Sequence, residues 1–442
     1  MHLSLVATRG SPIGLRHPQK IHMKYIKYCA ATVLALLAAD AAFAQTTIRV
    51  TGSTAFRSAT ISSIKSILTV TDSAFTGGKE TDANFSTYVG TFSGQPVVVQ
   101  CAWTGSVEGV RDVSESLPQP FIKASFVTAT TAVSGTLETP TDTAIYESGI
   151  PEISMADNTQ AATIYTANTL TEFPVGVIPF VWVKGRVGAS HPALAAYSSI
   201  NNVTNQMARA LLAGGAPISL LSGTADLSDT RVYAMGRNPL SGTRLVTFAE
   251  CGYGSSADAI QYEPTLDVND ASLTAGVNYM TDDLDNGFLG GNNGYKSGGT
   301  LATALSKTVS DVDGTGNAAD GTPFALMGYV GVSDAAKLLV AINGSSSSDT
   351  SYVMAYNGAS LGVTYNAATQ VTTWNFDAIK EGKYSLWSKA HLAYRPSLTG
   401  LPLTFATSLK NNIILNVPSS SGVKLADMKV TRDFEGSAIG QQ

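Results

Sequence analysis

Four short clusters hold the residues whose types and spacing can do chemistry, and all four suit the capture of a small tetrahedral oxyanion. Thr51-Gly52-Ser53-Thr54-Ala55-Phe56 lies between a strand-like run and a helix-like one. Ser53 or Thr54 can cap that helix, and the amides of its first turn then point outward as donors. Trp103-Thr104-Gly105-Ser106-Val107-Glu108-Gly109 repeats the arrangement. Gly105 permits a tight turn, Ser106 reads as the cap, and Val107, Val110 and Val113 begin a helical face. An ordinary helix cap is the plain alternative for each turn, but two of them in succession favour a shared ligand.

The other two clusters add charge. Ile153-Ser154-Met155-Ala156-Asp157 ends a strand-like segment with a carboxylate. A carboxylate can only accept, so beside an anion it admits an oxyanion that still carries a proton, such as hydrogen phosphate, and repels sulfate. A cap on the following segment is the alternative role for Asp157. Arg237-Asn238-Pro239-Leu240-Ser241-Gly242-Thr243 is the most specific cluster. Arg237 closes a strand with a planar fork suited to two oxygens of one anion. Four residues on, Ser241 and Thr243 offer hydroxyls and amides at a helix start, and Gly242 lets the backbone come close. Charge-assisted hydrogen bonds contribute about 1.5–3 kcal/mol each. About six of them reach the roughly 8 kcal/mol of micromolar affinity and leave a margin for the entropy lost on capture.

Catalytic and metal signals are weak beside these. Beyond residue 44 the histidines are His191 and His391, far apart in the chain. The run Asp311-Val312-Asp313-Gly314-Thr315-Gly316 is like a calcium loop but lacks its third acidic ligand and terminal Glu. Ser241 in Ser-Gly-Thr is not a nucleophile elbow. No catalytic residue, metal ligand or cofactor is expected. Trp103, Trp182, Trp374 and Trp387 read as core, Trp103 alone standing beside a candidate turn.

The elements that must position the clusters are strands followed at once by small-residue turns and helices. Strand-like runs occupy 47–51, 96–101, 175–183, 231–235 and 324–332. After Thr54, Ile61, Ile64, Ile67 and Leu68 recur at helical spacing; after Ser241, Leu245, Phe248 and Ala249 do so until Gly252. That alternation is the grammar of an α/β fold. The Gly- and Asn-rich segment 286–322 and the Gly- and Ser-rich segment 343–350 read as surface loops. Segments 69–95 and 126–145 read as insertions through which strand signals continue.

The order TGSTAF, TGSVEGV, SMAD, RNPLSGT resembles that of the exported phosphate-binding proteins of phosphate ABC transporters. Phe173-Pro174-Val175 is similar to that family's passage into the second lobe, Met327-Gly328-Tyr329-Val330 to its Gly-Tyr-Val strand, and 384–394 to its return. The resemblance implies a two-lobed type II periplasmic-binding-protein fold with the ligand in the cleft. It places the first lobe at 46–176 plus 385–442 and the second at 177–384. It implies phosphate contacts at Thr54, Ala55 and Phe56, chiefly through backbone amides, and at Ser106, Asp157, Arg237, Ser241, Gly242 and Thr243. The first turn is one residue shorter than the family's, so Ser53, Thr54 and Ala55 compete for the position facing the ligand. Arg57 and Arg244 depart from the pattern and belong either at the cleft or on a solvated helix face. A membrane ABC permease is the implied partner of a monomeric, non-enzymatic protein. An exported phosphatase, or a surface or matrix protein without a transport role, is the alternative use of such a scaffold.

Residues 1–44 read as a signal peptide with its true start at Met23. Lys24 and Lys27 precede a short apolar core at 30–39, and Ala42-Phe43-Ala44 presents small residues for cleavage before Gln45. The expected compartment is the periplasm. The chain has 442 residues; without the first 44, 23 basic and 32 acidic residues remain, a net charge of −9. Such a field repels nucleic acid, so attraction for an anion must be local and built from backbone dipoles. The run 173–183 contains Pro174 and Pro179 and is too short to span a bilayer, so it reads as buried strand. Cys101 and Cys251 read as separate buried thiols, although an oxidising compartment permits a bridge.

Overall fold

The computed structural model describes residues 45–128, 131–133, 140, 142–225, 230–266, 273–280, 292–309 and 323–442. The leader and the calcium-like run lie outside them. Strand β1 (Thr46–Gly52) buries Ile48 and Val50 and turns into α1 (Arg57–Ile67), whose Ile61 and Ile64 pack into the core. The chain then forms an antiparallel run, β2 (Thr69–Thr76), β3 (Phe85–Phe92) and β4 (Gln95–Ala102), so the first supposed insertion is part of the sheet. β4 turns into α2 (Ser106–Glu115), with Val110 and Val113 fully buried, and β5 (Ile153–Ala156) ends just before Asp157. β1 pairs in parallel with β4 on one side and β5 on the other.

β6 (Thr171–Lys184) carries the chain into the other half of the sheet, the part that the sequence assigns to a second lobe. There β7 (Arg231–Met235) leads to α3 (Gly242–Glu250), and α4 (Gly298–Leu305) precedes β8 (Phe324–Gly331) and α5 (Val332–Asn343). β9 (Trp387–Tyr394) returns to the first lobe, and α6 (Gly400–Asn416) packs against α1. β6 pairs with β9 from Thr171 to Pro179 and with β8 from Phe180 to Lys184. One 11-stranded sheet therefore runs through both lobes, in the order Ala216–Pro217, β7, β8, β6, β9, β5, β1, β4, β3, β2, Thr131–Val133. Pro174 sits inside this sheet beside a register shift at Ala390/His391, the kind of bulge that tolerates a missing donor. Residues 46–442 form one compact unit.

One expectation changes. The 286–322 segment is not all loop: α4 lies within it, capped by Ser297 and burying Leu301, Ala302 and Leu305. Gly298 and Gly299 at its start hide the helical period. The run 173–183 belongs to one strand shared by both lobes. Cys101 and Cys251 are free and buried, and burial pushes the Cys101 thiol up to about 12, so neither is reactive. All four tryptophans are buried.

Gly52 ends β1 at φ +125°, and a Cβ there would stand 1.9 Å from Met155 O. Gly52→Ala should therefore destabilise the protein by about 2–4 kcal/mol, read as a lower denaturant midpoint at unchanged slope.

Candidate anion-binding site

The ends of β1, β4, β5, β7 and β8 all lead to turns that are tied to one another by backbone and hydroxyl contacts. Ser53 N donates to Met155 O (2.7 Å), Gly105 N to Gly52 O (3.0 Å) and Glu108 N to Leu240 O (3.1 Å). Ser333 Oγ of α5 donates to Ala55 O (3.4 Å). The last two contacts join the lobes. Helix starts gathered at the carboxyl ends of strands present free amides and positive dipole ends to one place.

The first turn differs from its sequence reading. α1 begins at Arg57, so Phe56 and not Ser53 or Thr54 holds the N-cap position. Ser53 Oγ accepts from Phe56 N (3.0 Å) and donates to Asp157 Oδ1. The Phe56 amide, expected at the ligand, is thus engaged within the protein, and the Phe56 ring is core. The amides of Thr54 and Ala55 have no protein acceptor among the described residues. In the second turn Gly105, at φ +148°, is the N-cap, and Ser106 is the first helical residue instead of the cap. Its hydroxyl is buried and lies close enough to Asp157 to pull on that carboxyl.

Asp157 is 1% exposed. Burial raises its pKa to about 6, against the lowering pull of the Ser53 and Ser106 hydroxyls and the Arg237 charge. Arg237 lies two residues beyond β7 and is equally buried. Its Nε donates to Tyr295 O (2.9 Å) and its Nη2 to Lys296 O (2.6 Å), so the side edge of the fork is occupied and the two terminal nitrogens form the gripping edge. Burial lowers this guanidinium to about 10, while the charges of Asp334 and Asp157 oppose the shift. Arg244 is not on a solvated face, and its guanidinium is engaged within the protein. It donates to Arg237 O (3.2 Å) and Asn292 O (2.6 Å) and lies over the Phe248 ring. Tyr329, from the Gly-Tyr-Val strand, accepts from Arg237 N (3.3 Å). These partners fix where Arg237 points.

Ser241 is the N-cap of α3 and accepts from Arg244 N (3.4 Å), whereas Gly242 and Thr243 occupy its first turn. A Cβ at Gly242 would meet Ser106 Cβ at 2.6 Å and Asn158 Oδ1 at 2.7 Å. That close approach joins α3 of one lobe to α2 of the other. Arg57, left open in the sequence between the cleft and a solvated face, is buried on these same turns, and the sequence reading missed Asn158, Asn238 and Asp334 there. Thr54 Oγ1, Asn158 Oδ1, Asn238 Oδ1, Thr243 Oγ1 and Asp334 Oδ2 are buried without a protein partner. Each such atom costs about 1–3 kcal/mol until something bonds it. The arrangement can do one thing well: surround a small, multiply hydrogen-bonding anion with donors while meeting it with a buried carboxylate.

Two outcomes follow from this geometry. Gly242→Ala should hold α3 and α2 apart and weaken anion binding by about tenfold or more, with little change in the unliganded melting temperature. Asp157 has a folded pKa above its unfolded one, so the empty protein loses stability as pH rises from about 4 through about 6 and recovers none of it above. Asp157→Asn should flatten that part of the stability–pH curve; a curve identical to wild type would contradict the buried, ligand-free carboxylate.

No family model matches the sequence, and no curated protein matches it. Solved structures similar to the chain include an ABC-type phosphate transport receptor from Vibrio cholerae, at 12% identity over 83% of this chain and 97% of that one, TM-score 0.39. A phosphate-binding protein from Stenotrophomonas maltophilia is 10% identical over 83% of each chain, TM-score 0.34. An OxyR cysteine mutant from Corynebacterium glutamicum is similar at 10% identity over 90% of this chain and 74% of that one, TM-score 0.34.

Proposed function

We propose that the protein is an exported solute-binding protein that captures phosphate between its two lobes and delivers it to a membrane ABC permease. The lobes are 46–176 with 385–442, and 177–384, and the leader is 1–44. The observation that supports this reading best is Asp157, an acceptor buried among donors. Amides of the helix starts, the Thr54, Ser106 and Thr243 hydroxyls and Arg237 suit any tetrahedral oxyanion, whereas Asp157 suits one that still carries a proton. The motif order, which resembles the phosphate-binding family, points the same way. No helix among the described residues is long and apolar enough to cross a membrane. In this reading the chain binds its ligand unchanged, without a nucleophile or cofactor.

Arg237→Ala should remove most phosphate affinity while leaving the fold intact, checked by calorimetric titration beside a melting curve. Competition between phosphate and sulfate at equal ionic strength tests the acceptor. At neutral pH the wild-type protein should prefer phosphate by about a hundredfold or more, because a bare oxyanion against a carboxylate is repelled by several kcal/mol. As pH falls through about 6, Asp157 takes up a proton and becomes a donor, and the preference should shrink. Equal affinity for the two anions at neutral pH would remove Asp157 from the site and phosphate from the function.

A further inference from the structure

Asp334 stands outside the four clusters, in the first turn of α5, and is 1% exposed. Its Oδ1 is 3.5 Å from Lys337 Nζ, and its Oδ2 is buried without a partner. Gly298 makes room for it, and Gly299 lies alongside. A Cβ at Gly298 would stand 2.1 Å from Asp334 Oδ2; one at Gly299 would stand 3.6 Å from Asp334 Oδ1, 3.7 Å from Arg57 Nη2 and 3.4 Å from Lys337 Nζ. Gly298 follows Lys296 by two residues, and the Lys296 carbonyl is the one that holds Arg237 Nη2. The Asp334 carboxylate and the Arg237 guanidinium therefore flank one helix start, and Asp334 is the largest charge opposing Arg237's desolvation.

A second unpartnered acceptor faces the same closure. Asn158 Nδ2 donates to Thr159 O (2.8 Å), which leaves Oδ1 as the atom directed at Gly242 and Ser106. With Asp157, the turns hold three acceptor groups, and two carboxylates already balance Arg57 and Arg237. A dianion entering this enclosure would meet two buried carboxylates with a single proton to share. A monoanion with two protons can donate to both.

We infer that Asp334 is a second acceptor for the bound anion, and that the site takes the doubly protonated monoanion, dihydrogen phosphate, in preference to the dianion. The inference rests on the phosphate reading above. The charged groups around Asp334 are Lys337 on its own helix, Arg57 on α1, Asp82 before β3 at 3.8 Å from Lys337 Nζ, and Arg237 and Asp157 beyond β7 and β5. The pH range that tests the inference is the mildly alkaline side of phosphate's second ionisation, where the ligand itself loses its second proton.

The test is calorimetric titration of the full mature chain with inorganic phosphate at several pH values there, in two buffers of different ionisation enthalpy. Phosphate affinity should fall about tenfold per pH unit, with close to one proton taken up per phosphate bound. Asp334→Asn, whose amide can donate to a bare oxygen, should flatten that profile and abolish the proton uptake. A wild-type affinity that is level with pH and takes up no proton would overturn the inference. So would an Asp334→Asn protein whose affinity drops by the same factor at every pH, because that is the behaviour of a structural counter-ion. Neither result touches the phosphate reading, which fails only if phosphate does not bind at any pH.

Discussion

A carboxylate buried among helix starts and guanidinium groups is the constraint on which the rest depends. Asp157 is held by Ser53, and burial alone is enough to push it toward its protonated form. Left empty and closed, the enclosure keeps several donors and acceptors away from water with nothing to bond. Backbone amides supply attraction without mobile charge, which is how a chain with a net negative field can hold an anion. In the proposed function the donors set affinity and the acceptors set which protonation state enters.

Two crossing strands make that enclosure mechanically coherent. β6 pairs with β9 along its first part and with β8 along its last, so the turns on each side are carried by one continuous hydrogen-bonded frame. The interlobe contacts are few and local: Glu108 N to Leu240 O, Ser333 Oγ to Ala55 O, and the approach of Gly242 to Ser106. A ligand that bridges these turns stabilises the closed arrangement by its differential contacts alone. The C-terminal segment supports both sides. Glu435 accepts from Thr159 N (2.8 Å) and Oγ1 (3.0 Å) beside Asp157, and Arg432 pairs with Glu250 (2.9 Å) at the far end of α3.

The strands and helices that carry the site were legible because each is a short apolar run followed by Gly, Ser or Thr. The α/β class follows from that alternation, as do β1, β4, β6, β7 and β8 within a few residues. The cap assignments failed for a physical reason. Ser53, Ser106 and Ser241 look alike in sequence, yet the turn length before each helix decides whether the serine caps, buttresses Asp157 or opens the helix. α4 was hidden because its first residues are glycines, the first of which the packing of Asp334 requires. Asp334 itself follows a strand and a small-residue turn just as Ser106 does. Its partners Gly298, Gly299 and Arg57 are distant in the chain, and only the fold brings them together.

The measurement that bears most directly on the central claim is whether phosphate completes the unpartnered groups and draws the lobes together. Small-angle scattering and thermal melting of the mature protein, with and without phosphate, read both effects at once. With phosphate at about a hundredfold over its dissociation constant, the folded state should gain about 2.7 kcal/mol, seen as a higher melting temperature, and the radius of gyration should shrink. Superimposable scattering curves together with an unmoved melting temperature would contradict the account.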